Sequence, residues 1–210
     1  MTICFTDGME DFLDKVYANT SDDTRDLYAK WSTSYDQEVG GNGYATPARA
    51  AKALASHVTN LNRPVLDYGC GTGLSGIALR AVGFSTLHGI DVSKEMVAIA
   101  EEKKAYQTLR VFDPEVDPPV KIGEFDTIAA IGVIGIGAAP LPVFDKIIAL
   151  LTPGGLFAFS FNDHALADPA FEAKISKYVD TGKAELLLCE YGDHLPGVDL
   201  KSNVYILKIL

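Results

Sequence analysis

The sequence predicts an α/β protein with a Rossmann-like seven-stranded sheet, built from five parallel strands and an antiparallel C-terminal hairpin. Helices are expected on both faces of the sheet, and a helical cap at the N-terminus. From Arg63 onward, short β-rich runs alternate with helix-like stretches, which is typical of a parallel sheet covered on both faces. The last two β-rich runs have too short a connection for a crossover helix, so antiparallel pairing is expected.

The N-terminal helices are predicted from early acidic residues followed by apolar residues at helical spacing. DGMEDFLDKVYA and SDDTRDLYAKWSTSYD both have this pattern, and Ser21 is the expected cap of the second. After the break at GGNGY, Thr46 before Pro47 predicts a capped helix through ARAAKALASHVTNL. We therefore expect residues 1–45 to form a helical cap and residues 46–210 to form the sheet domain.

The sheet domain is predicted element by element from Arg63 to the end of the chain. The five parallel strands are expected at 65–68, 86–90, 109–112, 125–131 and 156–161. The connecting helices are expected at 74–82, 94–105 and 142–151, whereas the proline-rich, acidic DPEVDPPVKIGE is expected to be a loop. A further helix at 169–181 leads to the hairpin strands AELLLCEYG and NVYILKIL, which the turn-rich DHLPGVDLKS separates.

The length, apolar content and cysteine positions of the chain predict its domain number and exclude some classes of protein. The chain has 210 residues, of which 48% are hydrophobic, so one domain with a sizeable core is expected. No run approaches the roughly 18 apolar residues of a membrane span, and no secretory signal is visible. The cysteines are Cys4, Cys70 and Cys189, and their scatter is typical of reduced thiols without a disulfide framework or metal-ligand spacing. We expect a cytoplasmic monomer or homodimer, with no membrane association and no metal.

The net charge of the chain limits which partners are expected. The formal net charge is −10, from 28 acidic and 18 basic residues. Binding to nucleic-acid phosphates requires clustered lysine and arginine side chains, and the sequence has no such cluster. Nucleic acid is therefore not expected as a partner.

The stretch VLDYGCGTGLSG predicts a ligand site where the first strand ends. Alternate glycines let a ligand approach backbone amides at a helix start. Asp91 ends the second strand, where a carboxylate can accept hydrogen bonds from two ribose hydroxyls. Gly71, Gly73 and Gly76 satisfy the dinucleotide fingerprint, so an NAD-dependent oxidoreductase is one candidate. Asp67 would repel a pyrophosphate, however, and favours S-adenosylmethionine, which carries an ammonium group and no phosphate.

Four motifs in order resemble the class I S-adenosylmethionine-dependent methyltransferases of the type 11/12-like kind. They are VLDYGCGTG, GIDVSKEMV, FDTIAAIG and LTPGGLFAFS. DLYAKWSTSYDQEV together with YATPARAA is similar to the opening of a methyltransferase-like branch from the Williams–Beuren chromosomal region. The final antiparallel hairpin is also a feature of this family and not of NAD-binding sheets.

The resemblance implies a role for each motif residue. Gly69, Cys70, Gly71 and Gly73 would line the methionine half of S-adenosylmethionine, and Asp67 would orient its ammonium. Asp91 would bind the ribose. The remaining implied contacts are Val92 and Met96 at the adenine, Phe112 and Asp113 at the adenine edge, and Ile131 and Gly132 at the methionine end. Core packing is the alternative for Met96, and a simple turn is the alternative for the glycines.

Three further residues are candidates beyond the motifs. Tyr35, on a helix face with Tyr28 and Trp31, and Tyr44 could reach the cofactor carboxylate or close the pocket, or could simply pack. His164 follows the fifth strand and would act as a general base only if the acceptor must lose a proton; a surface histidine is the alternative. Tyr35 and His164 are thus the candidate catalytic residues.

The expected function is methyl transfer from S-adenosylmethionine to a small-molecule acceptor by in-line displacement. Such chemistry depends on positioning in a dry pocket and needs no catalytic triad, and none is visible. Two alternatives remain open at the level of sequence. One is the NAD-dependent oxidoreductase, and the other is a protein that binds S-adenosylmethionine without catalysing a reaction.

Overall fold

The computed structural model describes residues 25–116 and 118–210. The first predicted helix and the cap at Ser21 lie outside the described residues. These described residues contain seven strands. They are β1 (Val65–Tyr68), β2 (Leu87–Asp91), β3 (Thr108–Val111), β4 (Thr127–Ala130), β5 (Leu156–Asn162), β6 (Ala184–Leu195) and β7 (Leu200–Ile209).

Seven helices of the described chain surround these strands. They are α1 (Arg25–Gly41), α2 (Thr46–Ala55), α3 (Leu74–Ala81), α4 (Lys94–Glu102), α5 (Pro142–Ile148), α6 (Asp163–Leu166) and α7 (Pro169–Asp180). A short 3₁₀ helix, Pro196–Val198, joins the last two strands. No described helix is long and apolar enough to cross a membrane.

The strands form one mixed sheet in the order β3-β2-β1-β4-β5-β7-β6. β1 to β5 run parallel to one another, and β7 pairs antiparallel with both β5 and β6. The predicted five-plus-two architecture is therefore confirmed. Strand order reverses between β1 and β4, which is where a ligand site is expected in an open α/β sheet.

The core has a layer on each face of the sheet. On β5, Phe157 and Phe159 pack into one cluster with Phe144 of α5, whereas Ala158 packs into the other with Leu54 of α2. This alternation follows from the period of two along a strand. Both faces are thus covered by helices, which explains why the strand sequences are almost continuously apolar.

The structure corrects several predicted boundaries. α4 and α5 each end three residues before the predicted 105 and 151, and β4 covers Thr127–Ala130 instead of 125–131. α2 ends at Ala55, earlier than the sequence pattern indicates, and residues 56 and 57 form a turn. The hairpin strands run through most of the predicted turn region, because β6 continues to Leu195 and β7 begins at Leu200. The proline-rich crossover between β3 and β4 contains no helix in its described residues, as predicted.

The predicted cap of α2 is also corrected. The residue before the helix is Ala45, which provides no side-chain cap. Thr46 is instead the first helical residue, and its hydroxyl lies 2.8 Å from both His194 Nδ1 and Ser202 Oγ. Pro47 nevertheless occupies the first turn, where the missing N–H of proline costs nothing.

Candidate functional site

A cavity of about 380 Å³ lies at the carboxyl ends of the parallel strands. Tyr68, Asp91, Phe112 and Ile131 line it, and each stands at or just after the end of one of the strands β1 to β4. Parallel strands present their carboxyl ends at one edge of the sheet, so four separate sequence motifs converge there. The cavity, which we call the main cavity, is therefore at the position predicted for a ligand.

The glycine loop after β1 forms one wall of the main cavity. Gly69 and Gly71 both have a left-handed backbone, with φ of 73° and 51°. A Cβ at Gly69 would lie 2.6 Å from Val133, whereas a Cβ at Gly71 would meet no protein atom within 4 Å. Gly71 therefore leaves open space at the cavity, and a side chain there would project into that space.

Asp91 is the acidic residue of the main cavity wall at the end of β2. It is 8% exposed, and its two carboxylate oxygens accept hydrogen bonds from backbone amides: Oδ2 from Gly71 at 2.8 Å and Oδ1 from Ser93 at 2.9 Å. Burial raises the pKa of Asp91, and the amide hydrogen bonds oppose that rise. Ser93 caps α4 by accepting from Met96 N at 3.2 Å. Asp91 is thus held in a fixed orientation, and its remaining lone pairs are available to a ligand.

Asp67 lies beneath the loop, outside the lining of the main cavity. Its side chain is fully buried, and Oδ2 accepts hydrogen bonds from Ser75 Oγ and Tyr106 Oη, each at 2.6 Å. Oδ1 is buried without a hydrogen-bond partner among the described residues. Burial raises the pKa of Asp67 to about 6. A carboxylate oxygen left unsatisfied in this way is costly, and a cationic or hydrogen-bonding ligand group would relieve the cost.

Gly76 has a packing role that bears on the dinucleotide fingerprint. A Cβ at Gly76 would collide with the ring and hydroxyl of Tyr106, the same tyrosine that donates to Asp67. The third glycine of the fingerprint is therefore required by contact with a protein side chain. The third glycine of a dinucleotide fingerprint also serves packing, so Gly76 by itself does not distinguish a pyrophosphate from another ligand.

Aromatic residues close the main cavity on the side of α1. Tyr35 of α1 and Tyr44 both line it, and Trp31 meets Tyr35 edge-on with ring centroids 4.6 Å apart. A Cβ at Gly132, which has a φ of 71°, would collide with the hydroxyl of Tyr44. Gly132 thus admits the tyrosine to the end of β4. The side chain of Tyr28 lies outside the described residues.

Polar contacts attach α1 to the glycine loop. Asp36 of α1 accepts a hydrogen bond from Thr72 Oγ1 at 2.6 Å and pairs with Lys103 Nζ at 2.5 Å. Lys103 also donates to the backbone oxygen of Thr72 at 2.5 Å. We call these three side chains the α1 latch. It holds Tyr35 and its helix against the loop that forms the cavity wall.

A second, smaller cavity of about 50 Å³ adjoins the main cavity. Tyr35, Tyr44, Gly132 and Ala138 line both cavities, so the two are neighbours at the end of β4. We call the smaller one the side chamber. Its polar lining includes His194, a residue that the sequence presented only as part of a predicted loop.

Most of the predicted cofactor residues meet at the main cavity. The eleven that line it are Tyr35, Tyr44, Gly69, Cys70, Gly71, Asp91, Val92, Met96, Phe112, Ile131 and Gly132. Asp67, Gly73 and Asp113 lie outside the lining. His164 is exposed on α6, outside the lining of either cavity.

Sequence reasoning missed part of the lining. Thr72 and Ser75 belong to the glycine loop and the start of α3, so their position beside the glycines could have indicated them. Val133 and Ala139 come from the β4–α5 connection and Val143 from the first turn of α5, and the apolar sequence of this region gave no signal for a site. Among the described residues, no group of three or more histidine, cysteine or acidic side chains could hold a metal ion.

Comparison with known proteins identifies the class. A family model described as a methyltransferase domain matches residues 43–194. The chain therefore belongs to this family, and its fold and motifs make it a class I S-adenosylmethionine-dependent methyltransferase.

Relatives refine this placement. The chain is 30% identical to human methyltransferase-like protein 27 over 175 residues, covering 80% of this chain and 71% of that protein. It is 34% identical over 104 residues to the ribosomal protein L11 methyltransferase of Shewanella halifaxensis, but spans only 33% of its length. The 18S rRNA (guanine(1575)-N(7))-methyltransferase of Saccharomyces cerevisiae is 28% identical over 128 residues, 46% of its length. Relatives thus include enzymes named for a ribosomal protein and an rRNA, which gives the expected absence of nucleic acid no support.

Solved structures share the fold. Magnesium protoporphyrin IX methyltransferase from Synechocystis, solved with bound S-adenosylmethionine, has a TM-score of 0.66 at 18% sequence identity. The match covers 91% of this chain and 100% of that chain. A methyltransferase from Haloferax volcanii, in complex with the Trm112 methyltransferase activator, has a TM-score of 0.66 at 17% identity and covers 89% of this chain and 97% of its own. The predicted class is confirmed, and S-adenosylmethionine is supported as the cofactor.

Proposed function

We propose that the main cavity binds S-adenosylmethionine with the ribose on Asp91 and the methionine end along Gly69 and Gly71. The observation that carries this assignment is the orientation of Asp91. Its carboxylate is buried, fixed by two amides at 2.8 and 2.9 Å, and part of the cavity wall. A buried carboxylate in that position favours hydroxyl donors and disfavours phosphate.

The remaining contacts follow from position in the cavity. Val92 and Met96 lie next to Asp91 in the chain and would flank the adenine, with Phe112 and Asp113 beyond them. Ile131 and Gly132 would meet the methionine end. Cys70 and Gly73 of the glycine loop would also contact the cofactor, although Gly73 and Asp113 lie outside the cavity lining.

Asp67 would serve the ammonium of the cofactor from beneath the glycine loop. Its Oδ1 is buried without a partner among the described residues, whereas Oδ2 is already satisfied by Ser75 and Tyr106. Because Asp67 does not line the cavity, we propose that it acts through Ser75, which does, or through a bridging water. A cation nearby would favour the ionised carboxylate.

The chemistry requires positioning by the protein. When bound, the cofactor supplies a methyl group attached to a sulfonium sulfur, and the neutral thioether that remains is a good leaving group. An acceptor lone pair would form the new bond to the methyl carbon while the carbon–sulfur bond broke, leaving its electron pair on sulfur. Tyr35 and Tyr44 would exclude water from the junction of the two cavities, and collinear alignment of the reacting atoms at about 3–3.5 Å provides the rate enhancement.

The N-terminal residues would contribute to this enclosure. We propose that residues 1–45 act as a cap on the sheet domain of residues 46–210. The support comes from α1, which provides Tyr35 to both cavities and is attached to the glycine loop by Asp36.

We further propose a small molecule as the methyl acceptor. The net charge of −10 disfavours binding to nucleic-acid phosphates, and the side chamber of about 50 Å³ suits a small functional group. A macromolecular acceptor, as the names of several relatives indicate for those proteins, is the competing possibility. Methylation of RNA or of a protein, with no labelled product among extracted metabolites, would contradict our proposal.

Calorimetry with the purified protein tests the cofactor assignment. We expect S-adenosylmethionine and S-adenosylhomocysteine to bind, and NAD not to bind. Asp91→Asn should weaken both interactions about 10- to 100-fold, because hydrogen bonds to a charged group contribute about 1.5–3 kcal/mol. The matched control is Ser93→Ala, which removes the α4 cap and leaves the carboxylate in place. Binding of NAD alone, or unchanged affinity in Asp91→Asn, would overturn the assignment.

A further inference from the structure

His194 occupies the side chamber near the end of β6. It is 6% exposed and lines the chamber together with Ser160 and Tyr44, whose ring meets the imidazole edge-on at 5.2 Å between centroids. Only Nδ1 of the ring has a described side-chain partner, the hydroxyl of Thr46 at 2.8 Å. The other ring nitrogen, Nε2, is therefore the one available to a group in the chamber.

A chain of hydrogen bonds determines which nitrogen of His194 carries the proton. Arg49 Nη1 lies 3.1 Å from Ser202 Oγ, Ser202 Oγ lies 2.8 Å from Thr46 Oγ1, and Thr46 Oγ1 contacts His194 Nδ1. Arginine is always a donor, so Ser202 accepts from Arg49. The Ser202 hydroxyl then donates its proton to Thr46 Oγ1, and the Thr46 hydroxyl donates its proton to His194 Nδ1. Thr46 and Ser202 are both fully buried, so every proton in the chain requires an acceptor.

This direction makes Nδ1 an acceptor and places the ring proton of neutral His194 on Nε2. The neutral state is favoured because burial, with a further contribution from Arg49, lowers the pKa of His194 to about 4, while Asp163 opposes the shift. The chain Arg49–Ser202–Thr46–His194, which we call the His194 relay, therefore presents a hydrogen-bond donor to the chamber.

The lining of the chamber limits the ligand chemistry. Apart from His194, the described residues that line it include no carboxylate, lysine or arginine; the others, with the phenols of Tyr35 and Tyr44, are uncharged polar, aromatic or aliphatic residues. A carboxylate would be desolvated there without a cationic partner, which is costly, whereas a neutral oxygen needs only one donor. The volume of about 50 Å³ exceeds the roughly 30 Å³ share of one liquid water and excludes a large group.

We infer that the side chamber is the acceptor subsite and that His194 Nε2–H donates a hydrogen bond to a neutral carbonyl oxygen of the acceptor. The inference rests on the proposed function, because it requires S-adenosylmethionine in the main cavity. His194 touches the acceptor, and Thr46, Ser202 and Arg49 are positioning residues that act through it. As a donor, His194 does not remove a proton from the acceptor; any proton lost on methyl transfer goes elsewhere.

The first test reads the tautomer directly. Protein labelled with ¹⁵N-histidine is studied by long-range ¹H–¹⁵N correlation at pH 7, with His194→Gln used to assign the signals. We expect the Nε2–H tautomer in the wild type and a mixture of tautomers in Thr46→Val, with Thr46→Ser restoring the wild-type pattern. An Nδ1–H tautomer or an imidazolium in the wild type would overturn the inference without any variant.

The second test uses the single tryptophan of the chain, Trp31, which lines the side chamber. Protein saturated with S-adenosylhomocysteine is titrated with N-methylacetamide and with acetate, and the Trp31 fluorescence is recorded. We expect a saturable change with the amide and at least tenfold weaker binding of acetate. His194→Leu should weaken amide binding about tenfold, whereas His194→Gln, which keeps an N–H donor, should weaken it less. His57→Leu, in the turn that follows α2 and outside the lining of either cavity, is the matched control.

These outcomes separate the two proposals. Failure of S-adenosylhomocysteine to bind by calorimetry contradicts the proposed function. Normal cofactor binding with no saturable response to N-methylacetamide contradicts the acceptor subsite. Equal binding of acetate and the amide contradicts the expected neutral ligand, and unchanged amide binding in His194→Leu contradicts the role of His194.

Discussion

Gly71 and Gly182 form a matched pair for testing the cavity wall at the scale of single residues. Both have left-handed backbone, with φ of 51° and 67°, and at both a Cβ would meet no protein atom within 4 Å. Gly71 lines the main cavity, whereas Gly182 lies in the turn before β6. Conversion to alanine therefore introduces the same kind of backbone strain at each position.

We predict that Gly71→Ala and Gly182→Ala each lower the free energy of unfolding by about 1–2 kcal/mol, the cost of a left-handed residue with a Cβ. Only Gly71→Ala should weaken S-adenosylmethionine binding, by tenfold or more, because its methyl group would fill space that the ligand needs. Urea unfolding and calorimetry measure the two effects. Equal cofactor affinity in both variants would argue against contact between the ligand and Gly71.

Asp67 provides a prediction of pH dependence. Its pKa rises from an ordinary value of 3.8 to about 6 in the folded protein, mainly through burial. Between these values the folded state binds more protons at Asp67 than the unfolded state. Stability from this residue is therefore present below about pH 4 and is lost as the pH rises through about 6.

We predict that the wild type loses about 2–2.5 kcal/mol of unfolding free energy relative to Asp67→Asn between pH 4 and pH 7.5, at 1.36 kcal/mol per pKa unit, since part of the effect is already lost at pH 4. The asparagine variant does not titrate at this position, so other groups cancel in the comparison. Urea unfolding at several pH values is the measurement. Parallel pH profiles for the two proteins would mean that the buried carboxylate does not titrate in this range.

At the scale of elements, the α1 latch connects a helix outside the sheet to the glycine loop. Lys103 contacts both Asp36 and Thr72, and its side chain is only 16% exposed. Lys104, its neighbour, is exposed, and its side chain makes no ion pair or hydrogen bond with the described residues. The two lysines therefore differ in contacts and not in charge.

We predict that Lys103→Met weakens S-adenosylmethionine binding about three- to tenfold and increases hydrogen exchange in α1. The physical reason is that the variant keeps the aliphatic stem and removes the charge-assisted contacts that hold the helix. Lys104→Met, with the same loss of charge, should change neither. Hydrogen exchange by mass spectrometry and calorimetry provide the two readouts. If Lys104→Met weakens binding and increases hydrogen exchange as much as Lys103→Met does, the loss of positive charge is the cause and the latch contacts are not.

At the scale of the whole molecule, a ligand that binds only the folded protein must stabilise it. At a ligand concentration 100 times the Kd the gain is about 2.7 kcal/mol. For a protein of this size, each kcal/mol corresponds to roughly 2–4 °C in Tm. We predict that S-adenosylmethionine raises the Tm by about 5–10 °C under these conditions. Thermal unfolding with NAD at the same concentration should show no shift, and an equal shift with NAD would return the oxidoreductase to consideration.

Local sequence was enough to predict the elements that lie inside one motif. The bounds of β1 at 65–68, the start of α4 at Lys94 and the strand end at Asp91 follow from short-range patterns. The same patterns overestimated α2 and underestimated the final hairpin. Turn-forming residues near Leu195 and Leu200 suggested a loop, but pairing along β7 and packing against Trp31 keep the chain extended.

The sequence by itself determined the fold class, the cofactor family and most of the main cavity, because strand and loop motifs converge when parallel strands end at one edge of a sheet. Only the tertiary structure decided the role of Gly76, the unpartnered oxygen of Asp67 and the position of His194. Tyr106 lies thirty residues beyond Gly76, and Thr46 is separated from His194 by 148 residues. Contacts of that separation depend on packing in three dimensions, which no local pattern of residues encodes.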